Sequence, residues 1–354
     1  MNSIYSYYPD ELKELMASIG EPKYRADQIF TQLHKGILLD EMTNVGKKTK
    51  EKIKEITDTD LPSVNKKLIS KIDGTVKYLF ELSDKNCIEA VVMQYEHGYT
   101  LCISSQVGCR MGCKFCASTI AGRVRDLEAG EMLGQIIAAN RDLGIRISNV
   151  VMMGIGEPLD NFDNTVRFLR LVNMEGGVNI GYRHISLSTC GVVPKIYALS
   201  ELDLPITLSI SLHAPDDETR SQIMPVNNKW GVSELLSACK DYYKKTGRRI
   251  SFEYTLISGK NDSKKLAEQL ASVLNSSLRS RDEGMPIHVN LIPVNEVGET
   301  GFKPADKKGI SEFARTLESK GIRATVRRKL GSDINASCGQ LRREDSKTNE
   351  DSRD

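Results

Sequence analysis

The chain lacks the features that mark membrane and secreted proteins. None of its 354 residues lies in an apolar run that approaches the roughly 18 residues of a membrane span. The opening MNSIYSYYPD has no basic region followed by an apolar core, so it does not predict a signal peptide. In a chain without such a signal, eight cysteines favour metal or redox chemistry over structural disulfides. We therefore expect a cytoplasmic protein with no membrane partner.

A strong net charge is also missing, but the charge that is present is unevenly distributed. The formal net charge is +2, whereas the segment 320–343 carries seven Lys or Arg residues and one acid, Asp333. Such an excess favours an anionic partner, most simply a phosphate backbone, with a solvated face as the plainer alternative. Residues 344–354 have no aliphatic or aromatic side chain, which predicts a disordered tail.

Strand-like and helix-like segments alternate from Thr100 onward. The strand-like segments are Leu101–Ser104, Asn149–Met153, His184–Ser188, Ile206–Leu212, Ile250–Leu256, Ile287–Ile292 and Arg323–Val326. The helical patterns between them include Gly130–Leu143, Phe162–Met174, Val232–Tyr243, Lys264–Leu274 and Lys307–Ser319. This alternation predicts an α/β fold with a parallel sheet, curved into an incomplete or closed (β/α) barrel.

The segments before the barrel differ in character, and the chain divides accordingly. Residues 1–60 predict a small helical domain, and residues 61–98 a short β extension in which Asp73-Gly74 forms a hairpin turn. The extension includes the strand Ile88–Met93, where Glu89 stands among apolar neighbours. Residues 99–343 would form the barrel, and 344–354 the tail.

Three closely spaced cysteines, Cys109, Cys113 and Cys116, form a C-x3-C-x2-C motif. A tetrahedral zinc site and a [4Fe–4S] cluster each take four ligands, so three thiolates on a cluster leave one iron open to a substrate or cofactor. The alternatives are a zinc site completed by His97 or His184, and a chance group of buried cysteines. The sequence has no second C-x2-C arm, which weakens the zinc interpretation.

Glycine-rich and polar segments follow the predicted strands, where (β/α) barrels carry their active sites. The cysteine motif follows the first barrel strand, Met153–Pro158 the second and Ser188–Gly191 the third. Ser209–Pro215 ends the fourth, and Ile292–Asn295 ends the sixth. All of these segments should therefore meet on one rim of the barrel.

These motifs resemble the RlmN/Cfr family of radical S-adenosylmethionine (SAM) RNA methyltransferases. The resemblance rests on the cysteine motif and on Gly154–Asn161, Ser188–Pro194, Ile210–Pro215 and Asn335–Leu341, and it extends from about Tyr24 to Leu341. It implies a partial (β/α) radical SAM barrel with a small N-terminal helical domain and a short β extension. The Gly-Glu-Pro form at 156–158 is more similar to RlmN than to Cfr. RlmN proteins methylate adenine C2 in the peptidyl-transferase region of 23S rRNA, and some methylate the adenine next to the tRNA anticodon; Cfr proteins methylate C8.

The resemblance also implies a role for particular residues. Cys109, Cys113 and Cys116 would hold a [4Fe–4S] cluster whose open iron binds SAM, and each turnover would use two SAM molecules. Cys338 would carry the methyl group on sulfur, Cys102 would form a transient disulfide with it, and Glu89 would accept a proton from the ring. The SAM contacts would come from Gly156, Glu157, Ser188, Ser211, Leu212, His213 and Asn295.

Plainer readings of the same residues stay open. Cys102 and Cys338 could be small core residues, Glu89 could be ion-paired with a lysine, and His213 could be structural. Cys190 is interpreted as a bystander. The expected partners are 23S rRNA, tRNA and a low-potential reductant such as flavodoxin or ferredoxin, while a non-catalytic, zinc-stabilised RNA-binding module is the alternative from another class.

Overall fold

A computed structural model describes residues 1–279, 284–295 and 300–336. The helices in these ranges are Pro9–Ser18 (α1), Tyr24–His34 (α2), Lys47–Ile56 (α3), Ala129–Leu143 (α4), Phe162–Asn173 (α5), Val193–Ser200 (α6), Asp217–Ile223 (α7), Val232–Thr246 (α8), Lys264–Leu278 (α9) and Lys307–Ser319 (α10). The strands are Ser63–Ile69 (β1), Val76–Glu81 (β2), Cys87–Tyr95 (β3), Gly98–Cys102 (β4), Gln106–Gly108 (β5), Arg123–Asp126 (β6), Ile147–Met152 (β7), Ile185–Thr189 (β8), Thr207–Ser211 (β9), Ile250–Leu256 (β10), Ile287–Pro293 (β11) and Arg323–Val326 (β12).

One ten-stranded sheet organises the molecule, in the order β1-β2-β3-β4-β7-β8-β9-β10-β11-β12. From β4 to β12 every neighbouring pair is parallel, whereas β1 to β4 form an antiparallel meander. Strands β1 and β12 are the two ends of this order, so the sheet is a partial barrel extended by antiparallel strands. The predicted fold class is therefore confirmed.

The barrel elements lie close to their predicted positions because each combines a periodic apolar pattern with a defined end. Strands β10 and β12 and helix α10 have the predicted bounds. Helix α10 begins where the Asp306 carboxylate accepts a hydrogen bond from the Gly309 N–H, and α8 is followed by the capping residue Gly247, which has a positive φ. No helix in the described ranges is long and apolar enough to cross a membrane.

The two faces of the antiparallel extension have different environments. Leu101, Ile103 and alternate residues of β2 and β3 pack in the main apolar core. The opposite face carries Val91, Met93 and Cys102, which form a separate small cluster with residues of the C-terminal segment. Because side chains alternate across a strand, Glu89 lies on the same face as Val91 and Met93. This face of the extension therefore continues the inner surface of the barrel.

The β1–β2 hairpin holds the segment that follows β12. The Asp333 carboxylate accepts hydrogen bonds from the Ser70 hydroxyl and the Lys71 N–H, at 2.6 and 2.8 Å. The Asp73 carboxylate accepts one from the Gly331 N–H at 2.8 Å. Although burial acts to raise it, the pKa of Asp73 is lowered to about 2 by these and neighbouring hydrogen bonds. The extension thus fixes the chain shortly before Cys338, which lies outside the described residues.

Candidate active site

The carboxyl ends of the parallel strands carry the predicted site residues. The cysteine motif lies in the connection from β4 to α4, Gly156 and Glu157 follow β7, and His213 follows β9. Since parallel strands present their carboxyl ends at one edge, these segments share one rim of the barrel. The predicted convergence of these three segments is therefore found in the structure.

Two of the three cysteines in the motif are withdrawn from water. Cys109 and Cys113 are buried, and Cys116 is partly exposed and packs with Cys113 in an apolar cluster. Burial raises the pKa of the Cys109 thiol to about 12 and the pKa of the Cys113 thiol well above its ordinary value. Nearby negative groups, Cys116 among them, raise both pKa values further. Such thiols are poor free nucleophiles, because the thiolate is the reactive form. A positively charged inorganic centre is the partner that would favour their deprotonation.

A zinc ion and an iron–sulfur cluster require different spacings of the three cysteine thiolates. Within the described residues, no group of three or more His, Cys, Asp or Glu side chains is arranged to hold a single metal ion. A zinc ion requires its ligand atoms within about 2.3 Å of one point. In a cubane each thiolate binds a different iron, so its ligands stand farther apart. The three closely spaced thiolates of the motif are the donor set of a [4Fe–4S] cluster with one open iron.

The two histidines that could complete a zinc site lie at the other end of the barrel. His184 precedes β8 and bonds the Asn149 side chain at 2.9 Å, and His97 lies in the turn before β4, where it stacks on Tyr95. Both positions are at the amino ends of their strands, opposite the cysteine loop. The zinc interpretation thus has no support from these residues.

Contacts on several sides hold the cysteine loop in place. Arg110 forms a salt bridge of 2.5 Å with Asp160, which follows the Gly-Glu-Pro segment. The Phe115 ring meets His213 edge to face, with centroids 5.0 Å apart. These contacts join the cysteine loop to the loops after β7 and β9.

Gly156 and Glu157 occupy a tightly packed turn. Gly156 has φ +110°, and a Cβ atom there would lie 2.7 Å from the backbone nitrogen of Gln106. Only glycine meets both conditions without strain. The buried Glu157 carboxylate accepts hydrogen bonds from the N–H groups of Leu159 and Cys190, at 3.0 and 2.7 Å, and burial raises its pKa. Glu157 therefore fastens the loop after β7 to the loop after β8.

His213 is a neutral, ordered histidine. Its Nδ1 accepts a hydrogen bond from the Thr255 N–H at 2.9 Å, which places the ring proton on Nε2. Burial, followed by the charge of Arg220, lowers its pKa to about 3. Its backbone has a positive φ of 57°. His213 therefore has the structural role that the sequence left open, and it also lies beside the cysteine loop.

Arg220 is a residue of this rim that the sequence did not single out. Its side chain on α7 is fully buried and donates hydrogen bonds to the carbonyls of Cys190, Ser211 and Leu212, at 2.6, 3.1 and 3.0 Å, and to the Asn227 side chain at 3.0 Å. Its positive charge also acts on Cys113. One guanidinium thus joins the ends of β8 and β9 beside the cysteine loop. The nearest sequence signal is its position after the Ile210–Pro215 motif.

The other predicted SAM contacts are distributed along the barrel. Ser188 lies one residue before the end of β8 and is paired in register with Ser209 of β9. Ser211 and Leu212 lie at the end of β9, where their carbonyls bind Arg220. Asn295 follows β11 and lines a lateral cavity of about 370 Å³. Asn295 therefore lies both at the strand-end rim and in the wall of this lateral cavity.

Glu89 lies inside the sheet as half of a buried ion pair. Its carboxylate is 3.1 Å from the ammonium of Lys77, and the two side chains are 3% and 1% exposed. Lys77 also donates a hydrogen bond to the carbonyl of Asn335 at 3.0 Å. The ion pair named as an alternative is thus present, and it connects Glu89 to the segment that leads to Cys338.

Cys102 lines the lateral cavity together with Ala336. Both belong to the small cluster on the inner face of the extension, where Cys102 is paired in register with Val91. Cys338 lies outside the described residues, two positions beyond Ala336. The described part of the C-terminal segment thus reaches this cavity at Ala336.

Cys190 has a backbone role at this rim. Its N–H binds Glu157, and its carbonyl binds Arg220. Burial, followed by the charge of Glu157, raises the pKa of its thiol well above the ordinary value. The thiol therefore stays protonated, while the backbone of the residue organises the strand ends.

Two family profiles match the chain. Residues 103–270 match the Radical SAM superfamily, and residues 4–58 match the ribosomal RNA large subunit methyltransferase N-terminal domain. The first range holds the cysteine loop and strands β7 to β10, and the second holds helices α1 to α3. The two matches therefore cover the rim and the N-terminal helices.

Full-length relatives are similar to the whole chain. A probable dual-specificity RNA methyltransferase RlmN of Clostridium novyi is 52% identical over 97% of this chain and 98% of that protein. One from Alkaliphilus oremlandii is 54% identical over 94% and 95%. The crystal structure of a radical SAM methyltransferase from Sphaerobacter thermophilus superimposes with a TM-score of 0.90 at 39% identity, over 96% of this chain and 99% of that one.

Proposed function

The chain belongs to the RlmN family of radical SAM RNA methyltransferases, and from this premise we propose that it methylates C2 of an adenine in the peptidyl-transferase region of 23S rRNA and of the adenine next to the tRNA anticodon. The observation that carries the proposal is the near-complete coverage by relatives at about half identity. The inner face that joins Glu89, Cys102 and the approach to Cys338 supports the chemistry. Methylation of C8, as in Cfr, is the alternative outcome.

The Radical SAM superfamily match implies a [4Fe–4S] cluster and SAM, and the cysteine loop suits them. We assign Cys109, Cys113 and Cys116 as the cluster ligands, because they form the C-x3-C-x2-C motif of one loop, in which Cys109 and Cys113 are buried and Cys116 packs beside Cys113. A reduced [4Fe–4S] cluster held by these cysteines would supply the electron for cleavage of SAM to a 5′-deoxyadenosyl radical. Aromatic C2 is a poor nucleophile, so ordinary methyl transfer would fail there and such a cofactor is required.

The SAM contacts we assign lie at the strand ends. Gly156 leaves room for close approach of a ligand to the backbone, and Glu157 offers a carboxylate near the amino group of SAM. Ser188, Ser211, Leu212, His213 and Asn295 would surround its ribose, sulfonium and adenine. In this assignment the neutral His213 ring contributes an Nε2–H donor and no charge.

Three residues of the chain handle the methyl group and the substrate proton. Cys338 would accept a methyl group on sulfur from one SAM, and the radical generated from a second SAM would remove a hydrogen atom from it. The resulting carbon would bond to C2, Glu89 would take the proton that C2 loses, and the surplus electron would return to the cluster. Attack by the Cys102 thiolate on the Cys338 sulfur would form a disulfide, and the departing methylene carbon would take up a proton to become the methyl group of the free base. The position of Cys102 in the wall of the same cavity as Ala336 supports this proposed role.

The partners follow from the same assignment. Single-stranded or extruded bases are the usual targets of RNA-modifying enzymes, so the adenine must be unpaired to reach an interior site. We propose residues 1–60 as an RNA-binding accessory domain, 61–98 as the extension, 99–343 as the catalytic barrel and 344–354, outside the described residues, as a tail. The electron would come from a low-potential reductant such as flavodoxin or ferredoxin.

The test is an anaerobic assay of methyl transfer. The protein is reconstituted with iron and sulfide, and incubated with SAM, reductant and an RNA that contains the target adenine. We expect about four irons per chain and a product that co-elutes with 2-methyladenosine in mass spectrometry. An 8-methyladenosine product would establish the C8 alternative, and zinc without SAM cleavage would reject the enzyme.

Variants separate the cysteine roles. Cys113→Ala should lose iron and SAM cleavage together. Cys338→Ala should retain SAM binding but transfer no methyl group, and Cys102→Ala should leave RNA covalently attached to Cys338. Cys239→Ala is the matched control, because Cys239 is fully buried in α8 and has no assigned role. Release of methylated RNA by Cys102→Ala at the native rate would reject the disulfide step.

A further inference from the structure

The amino end of the barrel opens into a cavity that the proposed chemistry does not use. This cavity, of about 450 Å³, is lined by Arg183, which lies shortly before β8, by Arg249, which lies directly before β10, and by Arg327, which follows β12. Ser186, Ser209 and other hydroxyl groups form its polar wall, with the first two 3.1 Å apart. We call this the basal cavity.

The charge of the basal cavity is strongly one-sided. Among its described lining residues, three arginines face a single carboxylate, that of Glu253. Glu253 accepts hydrogen bonds from Asn290 at 2.7 Å and Ser251 at 3.1 Å, and it also feels the charge of Arg327. One carboxylate cannot balance three guanidinium groups, so the basal cavity has an excess of positive charge.

No salt bridge neutralises these arginines. Within the described ranges, Arg183, Arg249 and Arg327 form no ion pair, and the charge of Arg327 acts on the Glu253 carboxyl without a salt bridge to it. By contrast, Arg110 and Arg167 are each paired with a carboxylate, Asp160 and Glu11 respectively. A group of unpaired guanidinium ions in a concave site favours binding of an anion with planar or tetrahedral oxygens.

Two further arginines extend the positive charge along the same rim. Arg146 directly precedes β7, and Arg323 is the first residue of β12. Both are exposed, as are Arg183 and Arg249. Four strands of the barrel thus begin at or within two residues of an exposed arginine, so the positive charge forms an arc around the mouth of the cavity.

The basal cavity is connected to the proposed site of chemistry. Met93, Tyr95 and Arg327 line both this cavity and the lateral cavity that contains Cys102. The lateral cavity adds Arg328 and Lys329 to the positive wall. A polyanion that delivers a base to Cys102 would therefore meet a continuous positively charged surface toward the amino end of the barrel.

We propose that the basal cavity binds phosphate groups of the RNA substrate that flank the target nucleotide, with Arg183 and Arg249 as the principal contacts. The proposal rests on the proposed function, since it takes RNA as the substrate. It adds a second grip, at the opposite end of the barrel from the cysteine loop. Phosphate contacts of this kind position a nucleic acid without reading its sequence.

The test compares RNA affinity at several salt concentrations. A fluorescent RNA stem-loop with an unpaired target adenine is titrated with the wild type and with Arg183→Gln/Arg249→Gln from about 50 to 300 mM KCl. We expect the double variant to bind about tenfold more weakly at low salt. The slope of log affinity against log salt should fall by roughly one to two, because two phosphate contacts are lost.

Arg170→Gln is the matched control. Arg170 is exposed on α5, forms no salt bridge within the described ranges and does not line the basal cavity. It should bind RNA with the wild-type affinity and slope. Equal melting temperatures would show that all variants are folded, as expected for exposed side chains.

Two results would overturn the proposal. The first is a double variant with the native affinity and slope. The second is a cavity that binds a free phosphate compound instead, seen when the double variant loses stabilisation by inorganic pyrophosphate while RNA affinity is unchanged. Failure of wild-type protein to methylate RNA would refute the proposed function separately, because the binding slopes are measured without turnover.

Discussion

The buried Lys77–Glu89 pair allows structural and chemical roles to be separated in one set of variants. The charges are 3.1 Å apart and almost fully withdrawn from water. At an effective dielectric constant of about 20 their attraction is roughly 5 kcal/mol, opposed by the desolvation of both groups. Removal of one partner leaves the other charge buried and unpaired, which costs about 3–5 kcal/mol. Lys77→Met and Glu89→Gln should each lower the free energy of unfolding by about this amount.

The free energy of unfolding of the double variant should differ from the value that the two single losses would add up to. Lys77→Met/Glu89→Gln contains no buried charge at the pair, so we expect it to regain roughly 5–9 of the 6–10 kcal/mol to which the two single losses add. The hydrogen bond from Lys77 to the Asn335 carbonyl is still lost, which leaves a deficit of about 1 kcal/mol. The double variant should therefore be nearly as stable as the wild type but inactive in methyl transfer, because it lacks the proposed base.

Urea unfolding of the anaerobic protein, followed by circular dichroism and fluorescence, measures the stabilities, and RNA methylation measures the activity. Lys67→Met is the control, since the Lys67–Asp142 pair at 2.7 Å is partly exposed and should contribute about 1 kcal/mol or less. Single variants that lose less than about 1 kcal/mol would refute the energetic argument. A Glu89→Gln enzyme with native methylation would refute the role of Glu89 as the base.

Three other predictions concern the rim and the pH dependence of stability. Gly156→Ala should weaken SAM binding and lower the free energy of unfolding by about 1–3 kcal/mol, because a Cβ atom at this positive φ would lie 2.7 Å from backbone. Gly284→Ala, which has open space around it, should change neither property. Equal SAM affinities of the two variants in calorimetric titration would contradict this prediction. Arg220→Met should lower the free energy of unfolding in urea by at least about 3 kcal/mol, because buried carbonyls at two strand ends lose a charged hydrogen-bond donor. A loss under about 1 kcal/mol would show that the guanidinium is dispensable. Burial lowers the pKa of His34 and His213 to about 3, so below pH 6.5 the unfolded chain binds protons that the folded chain does not. Stability should then fall by about 1.4 kcal/mol per pH unit for each histidine as pH drops from about 6.5 toward 5, and a constant urea midpoint across that window would refute the assignment.

The local pattern of the sequence was sufficient to predict the barrel and the cysteine loop. Apolar periodicity and end signals are local properties, so β10 and α10 could be located without knowledge of their neighbours. The position of Cys109 after the first barrel strand followed from the same reading. By contrast, Arg220 could not be identified, because an arginine within a short polar helix is ordinarily exposed. Its burial depends on which carbonyls the loops after β8 and β9 present.

By itself, the sequence determined the α/β class, the order of the elements and the membership of Cys109, Cys113 and Cys116 in one loop. Only the tertiary structure decided that Lys77 is the partner of Glu89, and that Cys102 faces the segment leading to Cys338. Alternation along a strand divides its side chains between two faces, but it does not say which strand lies alongside or in which register. A shift of one residue between β3 and β4 would move Cys102 to the wrong face relative to Glu89. These pairings between distant segments, and the grouping of arginines at the basal cavity, are properties of the assembled sheet and have no local signal in the chain.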